Sequence, residues 1–230
     1  SYKMIKAIIF DLDDTLISEK DYVMSGFHEV SNYVSNKVKK YTSEQIFEIL
    51  KKLHNANPNK VFNRMIDDLE ISCEIDVKEL IEVYRSHKPV ISLFEDALPI
   101  INKLKEQNYK LGIITDGYLV TQKKKLESLN ISYLFDEIIL TDELGKERWK
   151  PSLIPFELMS KRLNVNYSEM IYIGDNPRKD FYVSSVYPIT TVRINREGYY
   201  KNNDYHQDIK ENYAIDTLEE IFNIINKINL

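Results

Sequence analysis

A chain of 230 residues is long enough to bury a sizeable core in one or two domains. Its 43% hydrophobic and 29% charged residues form a globular balance that argues against disorder. The net charge of −5 disfavours a non-specific nucleic-acid surface, which needs a basic field to displace phosphate counterions. No apolar run approaches the roughly 20 residues of a membrane span, and Ser1 to Ile9 is too short and too soon followed by acids for a secretory signal. Neither nucleic acid nor membrane is therefore an expected partner. A single cysteine, Cys73, leaves no internal disulfide and no thiolate metal cluster, which fits a reducing, cytoplasmic setting. Between Ile71 and Ile75 it reads as a small half-buried side chain. His28, His54, His87 and His206 lack metal-ligand spacing and read as surface residues, and Lys123, Lys124 and Lys125 read as a solvated helix face.

In chain order, Lys6 to Phe10 is a short Ile-rich run bounded by charge, the pattern of a buried strand. Helical spacing follows over Asp21–Lys40, Ser43–His54, Val61–Leu69 and Val77–Tyr84, with Thr42-Ser43 before Glu44 and Gln45 as a helix start and Asn57-Pro58-Asn59 as a break. From Asp96 the pattern alternates. A helix (Asp96–Gln107) precedes a strand from Lys110 that ends at Thr115, and a second (Leu119–Leu129) precedes the apolar run Glu137–Leu140. A third (Leu153–Leu163) leads to Met170–Ile173; Thr190–Ile194 gives a fifth strand and Leu218–Ile228 a closing amphipathic helix. Alternating strands and helices imply a parallel sheet with right-handed crossovers.

Polar clusters fall just past the predicted strand ends, where open parallel sheets place their ligands. They are Asp11-Leu12-Asp13-Asp14-Thr15, Thr115-Asp116-Gly117, Lys150-Pro151, and Gly174-Asp175 with Asp180. Singly each is a weak signal; their order, one after each strand, is not.

With the motifs DLDDTL, IITDG, KP and GDNPRKD, the chain resembles the haloacid dehalogenase-like hydrolases over nearly its whole length. The resemblance implies an α/β fold: a Rossmann-like parallel-sheet core, residues 1–15 and 93–230, with an inserted α-helical cap, residues 16–92. By resemblance Asp11 is a nucleophile that forms an aspartyl-phosphate and Asp13 the general acid and then base, two roles a carboxylate can fill. The implied cofactor is Mg²⁺, held by the Asp11 carboxylate, the Asp13 backbone carbonyl and the Asp175 carboxylate, since oxygen ligands suit that ion. Asp180 is expected to orient water or Lys150; the alternative is a cap for a helix starting near Phe181.

The transferring phosphoryl group needs donors and a cation. Thr115 offers a hydroxyl, Asp116 and Gly117 offer backbone N–H groups, and Lys150 offers positive charge. An acid at Asp13, absent from dehalogenating relatives, favours ester hydrolysis of a small phosphorylated metabolite. A phosphomutase using the same residues, or a non-catalytic module keeping the fold, stays open, as do substrate and oligomeric state. Asp14 stands where many relatives have Gly, and Phe181 to Val192 lacks their Gly/Ala-rich helix packing. Trp149 reads as loop or core packing, the stretch from Tyr199 to Tyr205 as a polar loop, and Lys60 and Arg64 as surface charges.

Overall fold

Ala7, Ile8, Ile9 and Phe10 have no exposed surface. A run apolar on both faces belongs in the middle of a parallel sheet covered on two sides, and that is where β1 (Ala7–Phe10) lies. In the computed structural model, which describes residues 4–230, the other strands are β2 (Lys110–Thr115), β3 (Glu137–Leu140), β4 (Met170–Gly174), β5 (Thr190–Ile194) and β6 (Tyr213–Ile215). They form one parallel sheet in the order β3-β2-β1-β4-β5-β6. The order runs outward in both directions from β1, a doubly wound arrangement. Phe10 pairs with Ile113 of β2 and with Ile173 of β4, so the carboxyl ends of the three central strands come level.

The strand β6 was not expected. Three residues flanked by Asn212 and Asp216 give too short an alternation to read, and only Ile215 is buried. A second difference follows Asp180. Where a helix was expected near Phe181, a single 3₁₀ turn (Tyr182–Ser185) forms. The Ser184 and Ser185 hydroxyls donate back to the Phe181 and Tyr182 carbonyls, and Pro188 follows, so local side-chain bonds and a proline displace the helix. The closing helix is likewise split, into a 3₁₀ turn (Leu218–Glu220) behind the Thr217–Glu220 capping box and the helix Ile221–Ile228.

The described residues pack as two compact units, residues 4–19 with 92–230 and residues 20–91. In the first, Ile9, Ile114, Phe156, Met159 and Tyr172 form a cluster between the sheet and the helix Ile154–Leu163. The second is helical: Glu19–Lys37 (α1, whose first residue belongs to the first unit), Ser43–Ala56 (α2), Val61–Leu69 (α3) and Val77–Ser86 (α4), after which Ala97–Glu106 (α5) returns to the first unit. Phe27, Val30, Val34, Ile46, Leu50, Met65 and Leu80 fill its centre. As expected, Thr42 starts α2: its side chain accepts from Gln45 N, while Gln45 reaches back to Thr42 N.

Two expectations for this helical unit are corrected, those for His87 and Cys73. His87 is not at the surface: it is buried, with Nε2 3.1 Å from Ser25 Oγ and Nδ1 2.5 Å from the Tyr84 carbonyl, bonds that remove the cost of enclosing a ring with two nitrogens. Cys73 is exposed, because it lies in the turn after Ile71 and points away from the cluster that holds Ile71 and Ile75. Arg64 is a surface residue, as expected, and it clamps a loop, its guanidinium donating to the carbonyls of Leu53, Asn57 and Asn59.

These contacts set expected stabilities. Leu50 is fully buried, so Leu50→Ala should cost about 2–5 kcal/mol through lost transfer energy and a residual cavity. Thr42→Ala should cost about 1 kcal/mol by uncapping α2. Urea titration with hydrogen exchange of α2 measures both; a Leu50→Ala loss no larger than that of Thr42→Ala would contradict the packing.

Candidate active site at the carboxyl ends of the central strands

β1 delivers its carboxylates one step past the sheet. Asp11 N still bonds the Ile173 carbonyl of β4, and Leu12, fully buried, anchors the turn between the two acids. Asp14 adopts φ 56°, a left-handed conformation that Asp tolerates better than most residues, and its Oδ1 accepts from Glu19 N at 3.0 Å. An acid therefore replaces Gly here without opening the turn.

Around Asp11 the residues expected together do come together. Lys150 Nζ lies 3.2 Å from Asp11 Oδ1 and 2.8 Å from Asp180 Oδ1, with the Lys150 side chain only 2% exposed. It also meets Tyr172 Oη at 2.6 Å. Burial alone would lower the lysine's affinity for its proton, but Asp11 and Asp180 outweigh it and hold the ammonium well above its ordinary range. At Asp11 burial prevails instead: it pushes the carboxyl up to about 7, Lys150 opposing and Asp180 and Asp13 adding. Burial, with Asp11 and Asp180 nearby, also raises Asp175 well above the usual carboxylate range.

Asp180 is not a cap for a following helix. Oδ1 accepts from Lys150 and from Tyr172 Oη at 3.0 Å, and Oδ2 accepts from the backbone N–H groups of Asp175 and Asn176 at 3.2 and 2.9 Å. It thereby fixes the loop that carries Asp175. Gly174 makes this approach feasible, since a Cβ there would lie 2.5 Å from the Asp180 carboxylate.

Asp11, Asp175 and Asp180 each offer an oxygen within 4.8 Å of one another. The oxygens of Asp180 are engaged by Lys150, Tyr172 and two backbone N–H groups, whereas Asp11 and Asp175 are buried carboxyls hydrogen-bonded to each other, and their ionised forms would repel. That donor chemistry fits a hard divalent cation, which would cancel their charge.

On the β2 side, Thr115 is buried with its hydroxyl at the strand end. The Asp116 side chain turns away from its own peptide: Oδ1 accepts from Thr141 Oγ1 at 2.7 Å and Lys150 N at 3.1 Å, and Oδ2 pairs with Lys179 Nζ at 3.0 Å. Gly117, at φ 128°, makes the turn into the helix Leu119–Leu129 (α6), where a side chain would be strained. Trp149 packs its edge on Tyr118, with Lys146 and Lys179 over its ring, as expected of a loop-packing residue.

The site also holds groups that sequence reading passed over. Lys125 was expected on a solvated face; instead it is 3% exposed and its Nζ lies 2.8 Å from Asp13 Oδ1. Gln122, one turn earlier, donates to Asp13 Oδ2 at 2.9 Å and to Thr115 Oγ1 at 2.7 Å. Helical spacing was the available signal: Gln122, Lys125 and Leu126 share the buried face of α6, and Lys123 is exposed. Glu19 was missed as well. Burial raises its carboxyl to about 8, Asp13 adding and Lys125 opposing, and its Oε1 lies 3.5 Å from Tyr200 Oη.

The pattern of the haloacid dehalogenase-like hydrolases matches residues 8–194. A glyceraldehyde 3-phosphate phosphatase of Methanocaldococcus jannaschii is 29% identical, covering 98% of this chain and 99% of its own. Pyrophosphatase PpaX of Bacillus mycoides is 26% identical over the same shares. The crystal structure of a HAD phosphatase from Thermococcus onnurineus superposes with a TM-score of 0.61 at 25% identity, covering 98% of this chain and all of the other. A match that runs from β1 through β5, over a doubly wound sheet with an inserted helical unit, shows that the chain belongs to the haloacid dehalogenase-like hydrolase family.

Proposed function

We propose that this chain is a Mg²⁺-dependent phosphatase that hydrolyses a small phosphorylated metabolite through an aspartyl-phosphate on Asp11. The observation that carries this reading is the pairing of acids with separate cations at the end of β1: Asp11 beside Lys150, Asp13 beside Lys125. Relatives named as phosphatases support it.

In this reading Asp11 attacks phosphorus while Asp13 gives a proton to the departing oxygen, then takes one from water as phosphate leaves Asp11. Lys150 orients Asp11 and offsets the phosphoryl charge. Thr115 Oγ1 and the backbone N–H groups of Asp116 and Gly117 cradle the equatorial oxygens. Asp11, the Asp13 carbonyl and Asp175 would hold Mg²⁺, which supplies charge neutralisation for the phosphoryl oxygens. Asp180 positions Lys150 and the Asp175 loop. The helical unit, residues 20–91, is the proposed place for substrate selection, and the relatives' names make glyceraldehyde 3-phosphate and pyrophosphate the first compounds to try.

A screen of phosphate esters and pyrophosphate with Mg²⁺ should show turnover by the wild type and none by Asp11→Asn with its fold intact by circular dichroism. Undiminished turnover in that variant sinks the mechanism. Asp13→Asn should slow alkyl phosphates by about 10²–10⁴-fold, the worth of positioned proton transfer. EDTA should stop the reaction and added Mg²⁺ restore it; turnover that persists in EDTA would exclude the ligand set given above.

A further inference from the structure

Two side chains of α6 converge on Asp13. Lys125 Nζ meets Oδ1 at 2.8 Å and Gln122 Nε2 meets Oδ2 at 2.9 Å, so each carboxylate oxygen faces one N–H donor. The residues are three apart, on one helical face. Gln122 also donates to Thr115 Oγ1, which ties Asp13 to the end of β2. Neither side chain is there by default. The Lys125 side chain is 4% exposed, and enclosing an ammonium costs several kcal/mol unless a partner repays it. A leucine would fill that face of α6 at no such cost.

We propose that Lys125 and Gln122 are positioning residues that hold Asp13 as the base of the second half-reaction, hydrolysis of the aspartyl-phosphate. This rests on the phosphatase reading above. Each donor occupies one lone pair of a carboxylate oxygen and leaves another for water, so the carboxylate is presented as an acceptor in one fixed orientation. In that step a water oxygen bonds to phosphorus and its proton passes to Asp13. The P–O bond to Asp11 breaks, its electron pair returns to the Asp11 carboxylate, and inorganic phosphate leaves. The proton now on Asp13 is the one given to the next leaving alkoxide, so the cycle closes without another reactant. With both donors removed, Asp13 would be free to rotate, and the water step would suffer first.

p-Nitrophenyl phosphate separates the two halves, because its phenolate leaves without help from an acid. With this ester Lys125→Met should lower kcat by about tenfold or more, part of the worth of positioned proton transfer, while kcat/KM changes by less than about threefold. KM should fall with kcat, and a burst of p-nitrophenolate close to one per enzyme should appear as the aspartyl-phosphate accumulates. Lys125→Arg should recover most of kcat. Gln122→Leu should give the same pattern more weakly, and it carries the test should Lys125→Met fail to fold by thermal melting. An unchanged kcat, or an equal fall in kcat and kcat/KM without a burst, overturns the assignment while leaving the phosphatase reading in place. A wild type that turns over no phosphate compound overturns both.

Discussion

The ammonium of Lys150 is enclosed in the core unit with an aspartate on either side, and the arrangement of the site follows from that constraint. Its neighbours Asp11 and Asp180 stand at 3.2 and 2.8 Å, and none of the three side chains is more than 11% exposed. Removing one partner from such a buried pair typically costs 3–5 kcal/mol, because the remaining charge stays unpaired. Each member therefore has to be delivered by a rigid element. β1 delivers Asp11, β4 and its loop deliver Asp175 and Asp180, and Asp116 anchors the Lys150 backbone from the end of β2. With Asp11, Asp175 and Asp180 all ionised, three negative charges would outweigh the single ammonium, which is why burial and their mutual repulsion raise the carboxyls of Asp11 and Asp175. Ionising that cluster is the physical reason the proposed reaction involves a divalent cation.

The sheet makes this delivery possible through its register. Phe10 faces Ile113 on one side and Ile173 on the other, so the polar residues that follow each strand emerge side by side. The apolar strands were legible for the same reason that they are central: four or five consecutive buried residues leave a continuous run. Helices with a one-sided apolar stripe, such as α2 and α3, were equally plain. What was not legible lay where side-chain chemistry overrides periodicity. The serine hydroxyls after Phe181 compete for backbone carbonyls and leave only a 3₁₀ turn, and β6 is too short to show alternation.

The motif residues could be read from sequence because they sit in loops just past strands, where an acid or a lysine has no packing reason to recur in that order. Lys125 and Gln122 could not. They come from the middle of a helix, and the only local mark of burial is the spacing that puts Gln122 and Lys125 on the face of Leu126, a faint signal for a lysine among three. The partner it turns inward to meet, an acid 112 residues earlier in the chain, is visible only in the tertiary structure. His87 shows the same limit: its two bonding partners, Tyr84 and Ser25, make a buried imidazole tolerable, and Ser25 is 62 residues away.

Asp11 and Asp13 are two apart on one turn, yet their surroundings diverge. Asp11 shares Lys150 with a second aspartate and lies within reach of Asp175, so its carboxylate is held in an electrostatic field that a metal and a phosphoryl group would complete. Asp13 has a lysine and an amide of its own, from a different element, and its side chain is more open, at 17% exposure. Had both carboxylates shared one counter-ion, each would set the other's charge and orientation. Separate cations orient the two independently, even though Asp13 still adds to the raised Asp11 carboxyl, so in the proposed reaction one oxygen can be kept for attack on phosphorus while the other carboxylate handles protons. In the proposed reaction this division of labour depends less on the spacing of the two acids than on the two buried lysines, which β1 does not supply.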